Sequence, residues 1–415
     1  MPRKFNFKFA SPRNKKQILH RMNKLAKGIL PIIVIAQFLC TSLWFAGNAI
    51  LPDLIKDFGL VGSSLGHITS AVQFGFIAGT LAYALLMIAD RFSSSTVFFI
   101  SAVIGGLTNF LITRGNHNIN SILALRFLTG FFLAGIYPVG MKIASDHFEK
   151  GLGKALGFLV GALVVGTAFP HLLKSFTNTL SWRMVLIFTA GLSIAGGILM
   201  KLAVPDIVLP KKSGPINFKP VAGIFKNGQF RSAAFGYFGH MWELYAFWAF
   251  VPAMLTSYTN LHAENELRIS FWAFWIIAFG GLACVLSGYL SQKFGAGKTA
   301  FTALLLSGCC CLASPLAFQL PPVPFITFLI TWGLAVIADS PLFSTLVAQN
   351  VPAQIKGTAL TSVTCIGFSI TIISIELINY LSKHMNTQFI YLFLAIGPAT
   401  GLFYMWRSAK KETLA

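Results

Sequence analysis

His240 and Glu243 stand three positions apart in the apolar and aromatic stretch GYFGHMWELYAFWAFVP, residues 236–252. On a helix Gly236, His240, Glu243 and Phe247 follow an i, i+4, i+7, i+11 spacing, so imidazole and carboxyl are expected as neighbours on one stripe. A carboxyl balanced between burial and a neighbouring cation can load and release a proton near neutral pH. Arg126, Asp339 and Glu376 are the other charges deep within long apolar runs. A charge in such a place is costly and points to function. Arg126 is a permanent, fork-shaped cation suited to a carboxylate or another oxyanion, whether a ligand's or the protein's own. Asp339 joins Glu243 as a candidate proton carrier, and Glu376, near the end of its run, reads as interfacial. Trp44, Asn48, Gln73, Tyr137, Tyr237 and Tyr245, with His240, are the expected hydrogen-bonding and stacking partners of a small ligand, and Gln37, Thr41 and Ser42 add to the polar side of the same run as Trp44.

The elements that must position these residues are apolar runs of membrane length. The 415 residues are 55% hydrophobic and 11% charged, against about 25% charged in a soluble protein. Runs of roughly 20 residues, enough for about 30 Å of hydrocarbon, recur at 29–51, 65–88, 96–113, 120–143, 152–173, 183–204, 231–256, 269–290, 299–319, 323–347, 357–380 and 388–407. Backbone in lipid must satisfy its own hydrogen bonds, so these are expected to be helices. The fold expected is an all-α membrane protein of twelve transmembrane helices in two six-helix bundles. Its parts are a basic tail (1–28), a first bundle (29–204), a polar linker (205–230), a second bundle (231–407) and a short tail (408–415).

The net charge of +20 is distributed as topology requires. With the N-terminus inside, 25 of the 32 Lys and Arg fall on one set of exposed stretches, which puts both termini in the cytoplasm of a protein of the cell (inner) membrane. The basic tail then serves orientation and anionic lipid, and no compact nucleic-acid-binding pattern accompanies it. All six cysteines lie within apolar runs and none forms a CxxC pair, so neither a disulfide framework nor a metal site is expected. Gly297-Lys298-Thr299 resembles the end of a phosphate loop but has Gln292 where the loop needs glycine. No clustered catalytic constellation is visible, and neither an enzyme nor a cofactor is expected.

The halves echo each other at a shift of about 200 residues. LMIADRF (86–92) corresponds to GYLSQKF (288–294), GKAL (153–156) to GTAL (357–360), Pro52 to Pro252 and Pro138 to Pro341. Repeated halves are a transporter architecture with the site at their interface. The chain resembles the major facilitator superfamily. That family's G-x-L-x-D-R-x-G-R-R/K signature is matched in part by Asp90-Arg91, with Leu86 and Ser93 in glycine places. Gly288 to Gly295 keep the glycines but put Gln292 for the acid, with Lys293 beside it. Arg126-Phe127-Leu128-Thr129-Gly130 matches the family's R-x-x-x-G, and Phe148-Glu149-Lys150-Gly151 with Ala155-Leu156-Gly157 its fifth-helix start. Gly166 and Pro170 are not adjacent, unlike the Gly-Pro pair of drug/proton antiporters.

The resemblance implies alternating access by rocking of two bundles, with Asp90, Arg91 and Lys293 as gating elements and Asp90 or Arg91 paired with charges near Asp146 and Lys150. It also implies a monomer and associates the arginine at 126 with proton coupling. The function expected is proton-coupled uptake of a small organic or inorganic anion. The alternatives are proton-coupled efflux of amphipathic compounds and a non-transporting membrane receptor, for which no large soluble domain is available.

Overall fold

The structure, a computed structural model, describes residues 28–60, 64–148, 152–176, 181–206, 223–264, 266–352 and 355–413. The basic tail and most of the linker lie outside them. Among the described residues twelve helical passes follow one another. They are α1 (Gly28–Thr41, resumed as Ala46–Ala49), α2 (Ser64–Leu85), α3 (Ser94–Leu111), α4 (Ile119–Leu133 and Tyr137–His147), α5 (Leu152–Ser175) and α6 (Trp182–Ala203). The second half contains α7 (Gly228–Leu261), α8 (Ile269–Ala278 and Gly280–Phe294), α9 (Ala296–Ala317), α10 (Pro322–Ala338 and Ser340–Gln349), α11 (Lys356–Leu381) and α12 (Thr387–Ile390, a 3-10 turn Tyr391–Ala395, then Ile396–Thr413). Several boundaries move: α7 opens at Gly228 rather than 231, where Asn227 caps the amides of Gln229 and Phe230, and runs on to Leu261, while α12 continues to Thr413 instead of ending at 407.

Among the described residues ten helices are long and apolar enough to cross a membrane. The two others are α1 and α7, the first helix of each half. α1 is short before its break, while His240, Glu243 and several Trp and Tyr dilute α7. Both open their half of the repeat, which is where helices lining a shared interior belong.

Breaks fall at equivalent places too. α4 loosens over 134–136 just before Pro138, and α10 at Asp339 just before Pro341. A proline lacks the amide for the preceding turn and its ring collides with it, so the helix restarts there. Within the halves α2 packs on α4, α3 on α6, α7 on α12, and α8 on α10. Close approach needs glycine: a Cβ at Gly130 would run into the backbone of Val72, and one at Gly75 into that of Phe127. Between the halves α2 meets α11 and α5 meets α8. At the α5–α8 crossing a Cβ on Gly161 would lie 3.0 Å from the Gly281 carbonyl, and one on Gly281 3.1 Å from that of Gly161. Small residues let such backbones touch where lipid supplies no hydrophobic drive. Leucines and phenylalanines such as Leu286, Leu312 and Phe74 point outward.

Candidate functional site

In the first half the site is organised by the interruption in α1. Residues 42–45 leave the helix, which would strand carbonyls in the interior. Arg126, fully buried on α4, takes them up: Nη1 donates to the Leu43 carbonyl (3.1 Å) and to Asn109 Oδ1 (3.1 Å), and Nη2 donates to the Trp44 carbonyl (2.5 Å). Asn109 in turn donates to Thr189 Oγ1 of α6 at 3.0 Å. Gly47 leaves room for the guanidinium, since a Cβ there would sit 3.1 Å from Arg126 Nε. Nε has no hydrogen-bond partner, and among the described residues no carboxylate lies within ion-pair distance of Arg126. The sequence suggested Arg126 as a direct ligand of an oxyanion. Here its two terminal nitrogens are committed to the α1 break, so it frames the site and supplies an uncompensated positive charge.

In the second half the expected His240–Glu243 partnership is replaced by two separate contacts. His240 Nδ1 lies 2.7 Å from Asp339 Oδ1, with both side chains buried. The approach is not an aligned hydrogen bond, and both His240 nitrogens and both Asp339 oxygens lack a hydrogen-bond partner among the described residues. Glu243 turns to α9 and α10. Its carboxylate accepts from Trp332 Nε1 (2.6 Å), Ser307 Oγ (2.9 Å) and Cys311 Sγ (3.3 Å).

The stripe Gly236–His240–Glu243–Phe247 does hold together, but it faces α10 inside the second bundle, against Phe343, Asp339 and Trp332. A neighbouring stripe, Tyr237, Met241, Tyr245 and Trp248, looks across instead, toward α11 and α1. Trp332, Ser307 and Cys311 were missed in the sequence. The available signal was the Ser307–Cys311–Ser314 stripe of small polar residues at i, i+4, i+7 on α9.

Where the halves meet, rings from both sides converge. Trp44 packs on Phe76 of α2 (centroids 4.9 Å), Tyr245 of α7 (5.7 Å) and Phe368 of α11 (6.0 Å), while Phe45 touches Tyr245 and Trp248. Asn48 Nδ2 donates to Thr69 Oγ1 at 2.7 Å. The amides of Gln37 and Gln73, Asn48 Oδ1 and the indole nitrogens of Trp44 and Trp248 are buried without a hydrogen-bond partner among the described residues. Tyr137 is half-buried at the restart of α4, and Tyr237 meets Gly367 of α11. The structure thus gathers Trp44 and Tyr245 in direct contact. It keeps Glu243 within the second bundle's interior.

The two faces differ in how the halves are tied. On the face away from the termini, Glu376 of α11 accepts from Ser70 Oγ of α2 (2.7 Å) and lies 3.3 Å from His67 Nδ1. On the terminal face the ion pairs of the described residues stay within the first half. Lys142 bridges Asp90 (3.7 Å) and Asp146 (3.0 Å). Asp206 is gripped by Ser93, by the amide and hydroxyl of Ser95 (3.0 Å each) and by Lys201 (3.8 Å). Burial pushes the Asp206 carboxyl up, yet these donors and Lys201 together hold it below its ordinary value. Asp90 thus finds Lys142, while Lys150 lies outside the described residues. Arg91 is exposed, and Lys293 lies over the Phe294 ring at 5.2 Å. Glu376 is tied at the α2–α11 seam instead of standing free at an interface. A separate cavity of about 780 Å³ on the terminal face of the second half, lined by residues such as Gln229, Lys298 and Trp406, contains none of these groups.

Residues 33–375 match the family model of the Major Facilitator Superfamily. Among curated proteins the chain is similar to the 4-hydroxybenzoate transporter PcaK of Pseudomonas aeruginosa (28% identity over 38% of this chain and 35% of the relative). It is similar as well to the probable galactarate/D-glucarate transporter GudP of Escherichia coli (28%, 39% and 38%) and to the niacin transporter NiaP of Acinetobacter baylyi (29%, 33% and 36%). The matched segment thus spans little more than a third of those relatives. Its fold is similar to that of the proton:xylose symporter XylE (TM-score 0.71, 13% identity, covering 93% of this chain and 96% of that one). The human organic anion transporter MFSD10 is comparably close (0.72, 13%, 92% and 99%). A family match over most of the length, on a twelve-pass helical fold in two halves, makes this chain a member of the Major Facilitator Superfamily.

Proposed function

We propose that this protein is a secondary active transporter that imports a small organic anion together with a proton. The observation that carries the reading is the division of labour between the halves. The first half places an uncompensated guanidinium at the α1 break, and the second holds a titratable pair, His240 and Asp339, beside the α10 break. The first attracts an anion, and the second can take up and release a proton when the helix around Pro341 shifts. Glu243, satisfied by three neutral donors, is assigned to holding α7, α9 and α10 together, and Asp339 takes the proton role. The charge bias of the loops supports a cytoplasmic terminal face. The Glu376 contacts link the two halves on the face away from the termini. Relatives named for 4-hydroxybenzoate, galactarate/D-glucarate and niacin transport support the organic-anion assignment. The test is uptake by proteoliposomes of the full chain, acidic outside, with a panel of radiolabelled organic acids. Accumulation above equilibrium that collapses with a protonophore supports the reading. Expulsion of hydrophobic cations driven by the same gradient refutes it in favour of efflux.

A further inference from the structure

We infer that the anion is a planar aromatic or heteroaromatic monocarboxylate, bound between Trp44 and Phe45 of α1 and Tyr245 and Trp248 of α7; this rests on the anion-import reading above. Ring geometry is the first support. Trp44 and Tyr245 are near parallel (27°) at 5.7 Å, Trp44 and Phe368 at 25°, and Phe45 and Tyr245 at 24°. These faces belong to opposite halves. When the halves part they separate from each other, and a flat ring replaces the stacking each has lost.

Unsatisfied donors point the same way. A buried indole N–H normally finds an acceptor, yet those of Trp44 and Trp248, both at or below 1% exposure, have none among the described residues. Both lie within the ring cluster. What they lack is an acceptor, which a carboxylate or a ring nitrogen provides. The side-chain amides of Gln37 on α1 and Gln73 on α2 are likewise buried without a partner among the described residues.

Charge limits the ligand to one carboxylate. Arg126 bonds the carbonyl of Trp44 itself, so its field reaches the cluster, but His240, the nearest cation-forming group on α7, is engaged by Asp339. A dicarboxylate would need a second cation. A polyhydroxylated acid would need polar groups where four of the walls are aromatic faces.

The experiment uses full-length protein in proteoliposomes with an imposed acid-outside gradient and five probes: 4-hydroxybenzoate, nicotinate, cyclohexanecarboxylate, galactonate and galactarate. The inference expects one or both aromatic acids to accumulate at least 10-fold faster than cyclohexanecarboxylate. It expects Tyr245→Ala to raise the half-saturating concentration at least 10-fold and Tyr245→Phe to change it less than 3-fold, with thermal stability confirming that both variants fold. Preference for galactonate or galactarate overturns the aromatic assignment while leaving anion import standing. Equal transport of the cyclohexane acid also overturns it. Flux of none of the five overturns both readings.

Discussion

The α1–α4 pair of the first half and the α7–α10 pair of the second occupy equivalent places in the repeat, yet they are built on opposite charge. In the first pair the leading helix is broken and the facing helix carries the cation that mends it, Arg126 on the carbonyls of Leu43 and Trp44. In the second the leading helix is continuous for 34 residues and the facing helix is broken at an acid, Asp339, which meets His240. Duplication preserved the packing, including the prolines at 138 and 341, while the buried polar chemistry diverged. The two halves present a fixed charge on one side and a titratable one on the other, the minimum needed to couple an anion to a proton.

The comparison breaks most severely at Arg126. Lysine retains the charge but cannot fork across two carbonyls and an amide, so Arg126→Lys is expected to reduce initial uptake at least about 100-fold, roughly 2.8 kcal/mol at 1.4 kcal/mol per tenfold. Uptake within 3-fold of wild type would show that charge alone suffices and that the α1 break needs no mending. A smaller effect is expected at the satisfied carboxylate of the second half. Trp332→Phe removes the 2.6 Å donor to Glu243 and should cost about 1–3 kcal/mol, read as a lower melting temperature in detergent. Proton-driven accumulation should stay above half of wild type. Collapse of coupling with unchanged stability would return the proton role to Glu243. The smallest effect concerns the Asp206 latch on the terminal face. Its carboxyl is held below its ordinary value of 3.8, so its contribution is present above that value and is lost only as pH falls through the lower folded one. Hydrogen exchange at the Ser95 amide, which donates to Asp206, should stay protected down to that value and be released only further into acid. Release already at pH 5 would contradict the assignment.

Much of the fold was legible because lipid imposes length and composition on every pass, and the polar linker and repeated motifs divide the chain into halves. The breaks in α4 and α10 were marked by Pro138 and Pro341. The break in α1 had no such mark: it falls at Ser42–Phe45, without proline, and is stabilised from another helix by Arg126. The sequence offered candidate residues but not their pairings. A helical wheel puts His240 and Glu243 on one stripe, which they share, but it cannot say which helix lies opposite. The partners Asp339 and Trp332 arrive from about 90 to 100 residues along the chain. Trp44 and Tyr245 meet across an interface that local periodicity does not encode.

The central claim is that Asp339, not Glu243, couples the proton. Proteoliposomes loaded with a transported acid separate coupling from movement, because substrate exchange at equal pH needs no net proton. Asp339→Asn is predicted to abolish accumulation driven by an acid-outside gradient while retaining exchange within about 3-fold. Gradient-driven accumulation by Asp339→Asn equal to wild type would contradict the account.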